Sequence, residues 1–263
     1  MTKNKYIIAI PARLNSKRLP RKVIELIGEE TMISLVIRQC LNIPKIEKVF
    51  LCTDHKLIAN EARGLPIEVI LKSGQFSSGT DRIYNSMSEI HKKLVHNNID
   101  LKDLYIINVQ ADQPFINKDL ISEFISKIEE MGNPEVLTSY YKKKYQITNE
   151  TSDNVKIVVS KKENRVLYFS RSIIPYMKKN DFNKEKNPNE FNLKYHIGVY
   201  AYRFDILQSW AKIPNSQLED CESLEQLRWL DYDVPVYAFE HGSQVLSIDN
   251  INQLEYARSL ISN

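Results

Sequence analysis

Tyr6-Ile7-Ile8-Ala9-Ile10-Pro11-Ala12-Arg13-Leu14-Asn15-Ser16-Lys17-Arg18-Leu19-Pro20-Arg21-Lys22 decides how this chain is read. Its apolar first half predicts a buried strand that stops at Pro11, because proline cannot continue a central ladder. The loop that follows holds Arg13, Lys17, Arg18, Arg21 and Lys22, five cations in ten residues. Such a loop, at the carboxyl end of a first strand, is where open α/β sheets bind ligands. It contains no glycine, so a phosphate held here must be gripped by guanidinium and ammonium side chains, with Ser16 adding a hydroxyl. On charge alone, a solvated basic loop is the alternative.

Outward from that stretch, strands and helices alternate. Thr31 is placed to cap a helix carrying Met32, Leu35, Val36 and Cys40, which ends before Pro44. Val49–Cys52 reads as a strand with Thr53-Asp54 beyond its end, followed by a helix at 56–62 and a strand at 67–71. Ser77-Ser78-Gly79-Thr80-Asp81-Arg82 opens a helix, and Leu104–Val109 is a strand ending in Gln110-Ala111-Asp112-Gln113-Pro114. Asn117 caps a helix closed by Gly132. This order implies a mostly parallel sheet with right-handed crossovers, its polar clusters along one edge. After about residue 135 the pattern becomes β-rich, with a hairpin at 155–159 and 166–169 and a polar loop at 177–192. A strand at 195–202, helices at 204–212 and 218–230, a strand at 234–239 and a helix from Asn250 complete the chain.

Composition narrows the class. With 263 residues, 43% hydrophobic and 26% charged, the chain is globular and suits one large α/β domain or a domain with an insertion. A net charge of +3 keeps the basic loop local and argues against non-specific nucleic-acid binding. Cys40, Cys52 and Cys221 show no metal-like spacing and fit a reducing cytoplasm. No stretch approaches the roughly 18–20 apolar residues of a spanning helix, so a soluble cytoplasmic protein with no membrane partner is expected.

Individual residues leave alternatives open. Asp112 could present a hard oxygen ligand to a divalent cation on a triphosphate, or simply form a turn. Asp249 could do the same or cap the last helix. Ser78 and Gly79 allow a base or ribose to approach beside Arg82, or merely start a helix. Arg171 could clamp a carboxylate, whereas His196 on a strand and Glu225-Gln226 on a helix have plain structural readings. Spacings for acyl transfer, zinc binding or hydride transfer are absent.

Taken together, IPARLNSKRLPRK (10–22), CTDH (52–55), SSGTDRI (77–83), NVQADQP (108–114), VKIVV (155–159), LYFSRSIIPY (167–176), YHIGVYAYR (195–203), LEQLR (224–228) and SIDN (247–250) resemble the 3-deoxy-manno-octulosonate (Kdo) cytidylyltransferases, almost end to end. The resemblance implies a Rossmann-like nucleotide-diphospho-sugar transferase fold: an α/β protein with a mostly parallel sheet and a β-rich dimerisation insertion. It implies a nucleotide-binding part at about 1–135, a sugar-binding and dimerisation part at about 136–235, and a terminal strand and helix. The reaction implied is CTP plus Kdo giving CMP-Kdo and pyrophosphate with Mg²⁺, in a homodimer. By position, Arg13, Ser16, Arg18, Lys22, Ser78, Gly79 and Arg82 would bind CTP, with Arg13, Lys22 and Asp112 catalytic. Asp112 and Asp249 would bind the metal, and Gln110, Arg171, His196, Tyr200, Glu225 and Gln226 the sugar acid.

Three departures stand out. Arg21 replaces the glycine of the family's LPGK, Ala111 replaces the glycine of QGDEP or QGDQP, and SIDN stands where the family has a VDTPED-like segment. Gln113 resembles the branch that activates 8-amino-Kdo. Activation of a sialic or pseudaminic type of acid, or a non-catalytic nucleotide-binding homologue, is the alternative function. A glycosyltransferase would carry a DxD motif at the end of a central strand, and the Asp231-Tyr232-Asp233 of this chain falls in a helix-to-strand turn.

Overall fold

A computed structural model describes residues 4–16, 18–94, 100–144, 151–176 and 192–261. The strands are β1 (Lys5–Ala12), β2 (Leu26–Ile27), β3 (Glu30–Thr31), β4 (Ile46–Thr53), β5 (Glu68–Leu71), β6 (Leu104–Asn108), β7 (Val136–Lys144), β8 (Lys156–Val159), β9 (Val166–Ser170), β10 (Asn192–Arg203) and β11 (Val236–Glu240). The helices are α1 (Met32–Cys40), α2 (Lys56–Glu61), α3 (Gly79–Leu94), α4 (Lys118–Glu130), α5 (Phe204–Gln208), α6 (Gln217–Glu222), α7 (Leu227–Asp231) and α8 (Ile251–Ile261). The chain packs as two compact units. The first is residues 1–133, 199–211 and 245–263; the second is 134–198 and 212–244.

In the first unit the strand order is β10–β6–β1–β4–β5. β1 pairs in parallel with both β4 and β6, β4 pairs in parallel with β5, and Tyr200–Arg203 of β10 runs antiparallel to β6. Tyr6–Ile10 and Tyr105–Ile107 are fully buried, as continuous apolar runs must be when both faces of a parallel sheet are covered. After β5 the chain returns to the other side of β1 to form β6. The carboxyl ends of β1 and β6 therefore flank a topological switch point, where open sheets hold ligands.

Pro11 does not end β1; the strand continues to Ala12, with Pro11 opposite Cys52 of β4. Pairing with β6 has already stopped at Ala9, so β1 is one-sided at the proline and no ladder bond is lost there.

The helix ends follow the sequence. Thr31 Oγ1 accepts from Ser34 N–H at 3.3 Å, and Asn117 Oδ1 accepts from Leu120 N–H at 2.8 Å. At Gly132 (φ 73°) α4 ends in a reversed turn, with Asn133 N–H donating to the Ile128 carbonyl at 3.0 Å. The hairpin of β2 and β3 was not expected. The terminal helix α8 docks through Leu254 and Ala257 on Ile27, Met32 and Ile248, and so fixes the segment before it.

In the second unit β8 and β9 form the expected antiparallel hairpin, and Lys156 of β8 lies opposite Tyr195 of β10. β7, which the sequence reading did not foresee, pairs in parallel with β11. The single helix expected at 218–230 is two, because Ser223 takes a left-handed conformation (φ 51°) between α6 and α7. The loop expected at 177–192 lies outside the described residues except for Asn192, which begins β10.

Candidate active site

The site is built in the first unit from the segments that follow β1, β4 and β6 and precede α8. Leu19-Pro20-Arg21-Lys22 makes a tight turn closed by Lys22 N–H donating to the Leu19 carbonyl at 3.2 Å. Arg21 sits in the left-handed region at φ 56°, a conformation a glycine adopts without strain. The turn sends Lys22 inward, leaving it 9% exposed, while Arg13 and Arg18 stay in solvent.

Lys22 Nζ donates to Asp112 Oδ2 at 2.8 Å and to Asp249 Oδ1 at 2.9 Å; Arg18 Nη2 reaches the same Asp249 oxygen at 3.0 Å. A backbone bond aligns the two acidic segments, Ile248 N–H donating to the Asp112 carbonyl at 2.9 Å. Asp249 is therefore not the helix cap. Asn250 fills that place: its Oδ1 accepts from Gln253 N–H at 3.0 Å, and Gln253 Oε1 accepts in return from the N–H groups of Asn250 (3.2 Å) and Asp249 (2.7 Å). This capping box leaves the Asp249 carboxylate to the cations. Burial pulls the Lys22 ammonium down, but Asp112 and Asp249 outweigh it and hold the group above its ordinary value. Burial likewise pushes Asp249 up, and Lys22 with Arg18 reverses that, so its carboxyl lies below the usual range.

On the nucleoside side, Ser78 does cap α3, its Oγ accepting from Asp81 N–H at 3.1 Å, and Asp81 accepts from Ser77 N–H at 3.0 Å. A methyl on Gly79 would meet Gln110 Oε1 and Pro11 Cγ at 3.2 Å, so the helix start lies tight against the ends of β1 and β6. Arg82, 5% exposed, stacks 4.7 Å over Phe76 and pairs through Nη2 with Asp54 Oδ2 at 3.0 Å. Its buried Nη1 finds no acceptor among the described residues. The other Asp54 oxygen accepts from Leu14 N–H at 3.3 Å. One carboxylate thus joins the basic loop to α3. The sequence reading gave Asp54 no role, although its place just past β4 was the available signal.

The residues expected to meet the sugar acid divide between the units. In the first, Gln110 Nε2 donates to Asn108 Oδ1 at 3.3 Å, and Tyr200 stacks on Tyr202 with centroids 5.6 Å apart. In the second, the Arg171 guanidinium donates to the carbonyls of Glu222 (2.7 Å), Ser152 (2.9 Å) and Ser223 (3.2 Å). His196 Nε2 lies 2.9 Å from Thr138 Oγ1 and edge-on to Phe169, and burial pushes its imidazole down to about 3. It is neutral at pH 7 and can serve only as a hydrogen-bonding group. Glu225 and Gln226 lie at the break between α6 and α7, Gln226 buried. Asp231 of the Asp-Tyr-Asp turn accepts from Ser216 Oγ at 2.6 Å, a structural use. Lys17 lies outside the described residues.

The chain matches the family model described as cytidylyltransferase over residues 7–257. A 3-deoxy-manno-octulosonate cytidylyltransferase of Geobacter sulfurreducens is 34% identical over 94% of this chain and 95% of its own. One of Christiangramia forsetii is 30% identical over 99% and 98%. A solved CMP:2-keto-3-deoxy-manno-octonic acid synthetase complexed with CTP superposes with a TM-score of 0.82 at 29% identity, covering 98% of both chains. The 4-diphosphocytidyl-2C-methyl-D-erythritol synthase of Anaerococcus prevotii shares the fold, with a TM-score of 0.60 at 11% identity, covering 98% of this chain and 99% of its own. The chain belongs to the cytidylyltransferase family, grouped with the 3-deoxy-manno-octulosonate cytidylyltransferases, and is a nucleotidyltransferase.

Proposed function

We propose that the protein joins CTP to Kdo, releasing CMP-Kdo and pyrophosphate. The observation that carries this reading is the meeting of Lys22, Asp112 and Asp249 beside Arg18, at the carboxyl ends of β1 and β6. The sugar's anomeric hydroxyl attacks the α-phosphorus; the new O–P bond forms as the bond to pyrophosphate breaks, and the hydroxyl proton passes to solvent water. Such a transfer asks the protein mainly for positioning and charge neutralisation. Arg13, Ser16, Arg18 and Lys22 grip the triphosphate and stabilise the leaving pyrophosphate. Ser78, Gly79 and Arg82 seat the nucleoside, Arg82 with a dry N–H still to give. Asp112 and Asp249, converging on one cation, suit a magnesium ion, which takes one or two carboxylates and completes its shell with water and phosphate. When bound, Mg²⁺ would neutralise phosphate charge and polarise the attacking hydroxyl.

A second sugar to test is 8-amino-Kdo, because Gln113, the feature shared with the branch that activates it, is 3% exposed and its Oε1 has no donor among the described residues. Ala111 is also buried and does not take a left-handed backbone, so its methyl group adds bulk without strain. A homodimer is the assembly that the resemblance to the Kdo cytidylyltransferases implies, tested by light scattering. No helix among the described residues is long and apolar enough to cross a membrane, and the three free cysteines suit the cytoplasm.

The deciding experiment is pyrophosphate release from CTP and Mg²⁺ with Kdo and, separately, with 8-amino-Kdo. Release with Kdo is expected. Release with 8-amino-Kdo alone would reassign the sugar, and release with neither would overturn the reading.

A further inference from the structure

Lys22 stands where a metal would have to go. Its ammonium touches Asp112 Oδ2 at 2.8 Å and Asp249 Oδ1 at 2.9 Å, so these two oxygens lie within 5.7 Å of each other, the sum of the two distances. A magnesium-sized ion takes oxygens at about 2.0–2.1 Å, which puts any two of its ligands no more than about 4.2 Å apart. The carboxylates thus need at most a small approach to share such an ion between these oxygens, and the ammonium that bridges them lies in its way. A divalent ion set between these two oxygens would lie against the Lys22 ammonium, with Arg18 already on Asp249 Oδ1, and would meet strong repulsion.

Departure is costly on its own. Lys22 is 9% exposed, and withdrawing it would leave two acidic side chains facing each other with, among the described residues, Arg18 beside Asp249. What can draw it away is another anion within reach. The segment that carries Lys22 also carries Arg13, Ser16 and Arg18, and a triphosphate bound there presents oxygens that a lysine can take in exchange for carboxylates.

We infer that Lys22 is an internal stand-in for the divalent cation: it closes the Asp112–Asp249 pair to metal until a triphosphate re-pairs it, so nucleotide binds before or together with the ion. The inference rests on the reading of Asp112 and Asp249 as metal ligands, and it gives Lys22 a second task beside phosphate binding.

The test uses Mn²⁺ as the probe, with the full-length protein and no sugar, so that no turnover occurs. Binding is followed by the electron paramagnetic resonance signal of the free ion without nucleotide, and by water-proton relaxation with CTP present. Without nucleotide, Lys22→Met is expected to bind Mn²⁺ at least about 10-fold tighter than the wild type. Lys22→Arg, which keeps the charge, is expected to stay as weak as the wild type. Adding Asp112→Asn to Lys22→Met should erase the gain. With CTP, the wild type should show a relaxation enhancement that Asp112→Asn lacks. Wild-type binding as tight as that of Lys22→Met without nucleotide, abolished in both by Asp112→Asn, would overturn the inference and leave the metal ligands standing. Mn²⁺ binding unaffected by Asp112→Asn in every form, CTP present or absent, would overturn both. Circular dichroism checks that each variant is folded, and Lys22→Gln replaces Lys22→Met if the latter is not.

Discussion

Two regions of this protein each hold a buried lysine, and they do it by opposite means. At the end of β1, Lys22 and Arg18 are held by the carboxylates of Asp112 and Asp249. In the second unit, Lys156, 1% exposed, donates to the carbonyls of Asn154 (2.7 Å), Arg171 (2.7 Å) and Thr151 (3.3 Å). Arg171 in turn gives three of its N–H groups to carbonyls, and Glu222 takes the Arg171 backbone N–H at 2.8 Å and the Ser170 hydroxyl at 2.6 Å. A cation bound to side-chain anions can be re-paired by an incoming anion or ion. One bound to main-chain carbonyls cannot be released without undoing the loop. The first arrangement is exchangeable and the second is a fastening.

The contrast is broken most directly at Asp112. Asp112→Asn is expected to lower kcat by about 1000-fold, or about 4 kcal/mol, in pyrophosphate release at saturating Mg²⁺. A rate near wild type would remove Asp112 from the chemistry. At the fastening, Lys156→Met should leave carbonyls without donors and cost about 3 kcal/mol of stability in urea unfolding, with CTP affinity unchanged. Weaker CTP binding without loss of stability would make Lys156 part of the exchangeable set.

Asp54 sharpens the comparison, because its Arg82 pair is buried on the arginine side yet joins two nucleotide-holding segments. Asp54→Ala should raise the KM for CTP about 10-fold with a much smaller change in kcat, since a misplaced loop weakens ground-state and transition-state binding alike. An equal rise in the sugar KM would contradict that role. In the second unit, His196 has its imidazole pushed below the ordinary 6.5 to about 3, so the unfolded chain takes up the proton first as pH falls. Its contribution to stability is whole above pH 6.5 and is lost as pH falls from 6.5 toward 3, by up to about 1.4 kcal/mol per unit. His196→Gln should flatten that part of the stability profile; an unchanged slope would show that other groups set it. Smallest of all, Arg21→Gly should relieve the left-handed turn and raise stability by up to about 1 kcal/mol, read as an upward shift in Tm. A fall would mean that the Arg21 side chain does more than tolerate its conformation.

Much of the first unit was legible because its signals are local. Unbroken apolar runs such as Leu104–Ile107 announce parallel strands, and Thr31, Ser78 and Asn117 announce helix starts. The basic loop could be seen for the same reason. β7 could not, since Val136–Tyr141 is buried but the strand ends in three exposed lysines and never alternates. Nothing in the sequence marks Ser223 as a left-handed break, for it is neither glycine nor asparagine. The pairing of Lys22 with Asp249 and of Asp54 with Leu14 depends on segments far apart in the chain. The role of Arg171 was harder still, because its partners are backbone carbonyls, which every residue has.

The capping box at the start of α8 has a consequence for synthesis. A nascent chain that has left the ribosome only as far as Ala211 carries the whole basic loop and Asp112, but neither Asp249 nor the helix that fixes it. The second carboxylate is delivered by a segment that emerges later, held in place by Leu254 and Ala257 packing on Ile27 and Met32. A product cut short at that point would thus present cations without their full acidic complement, and the site is completed only when α8 packs against β2 and α1.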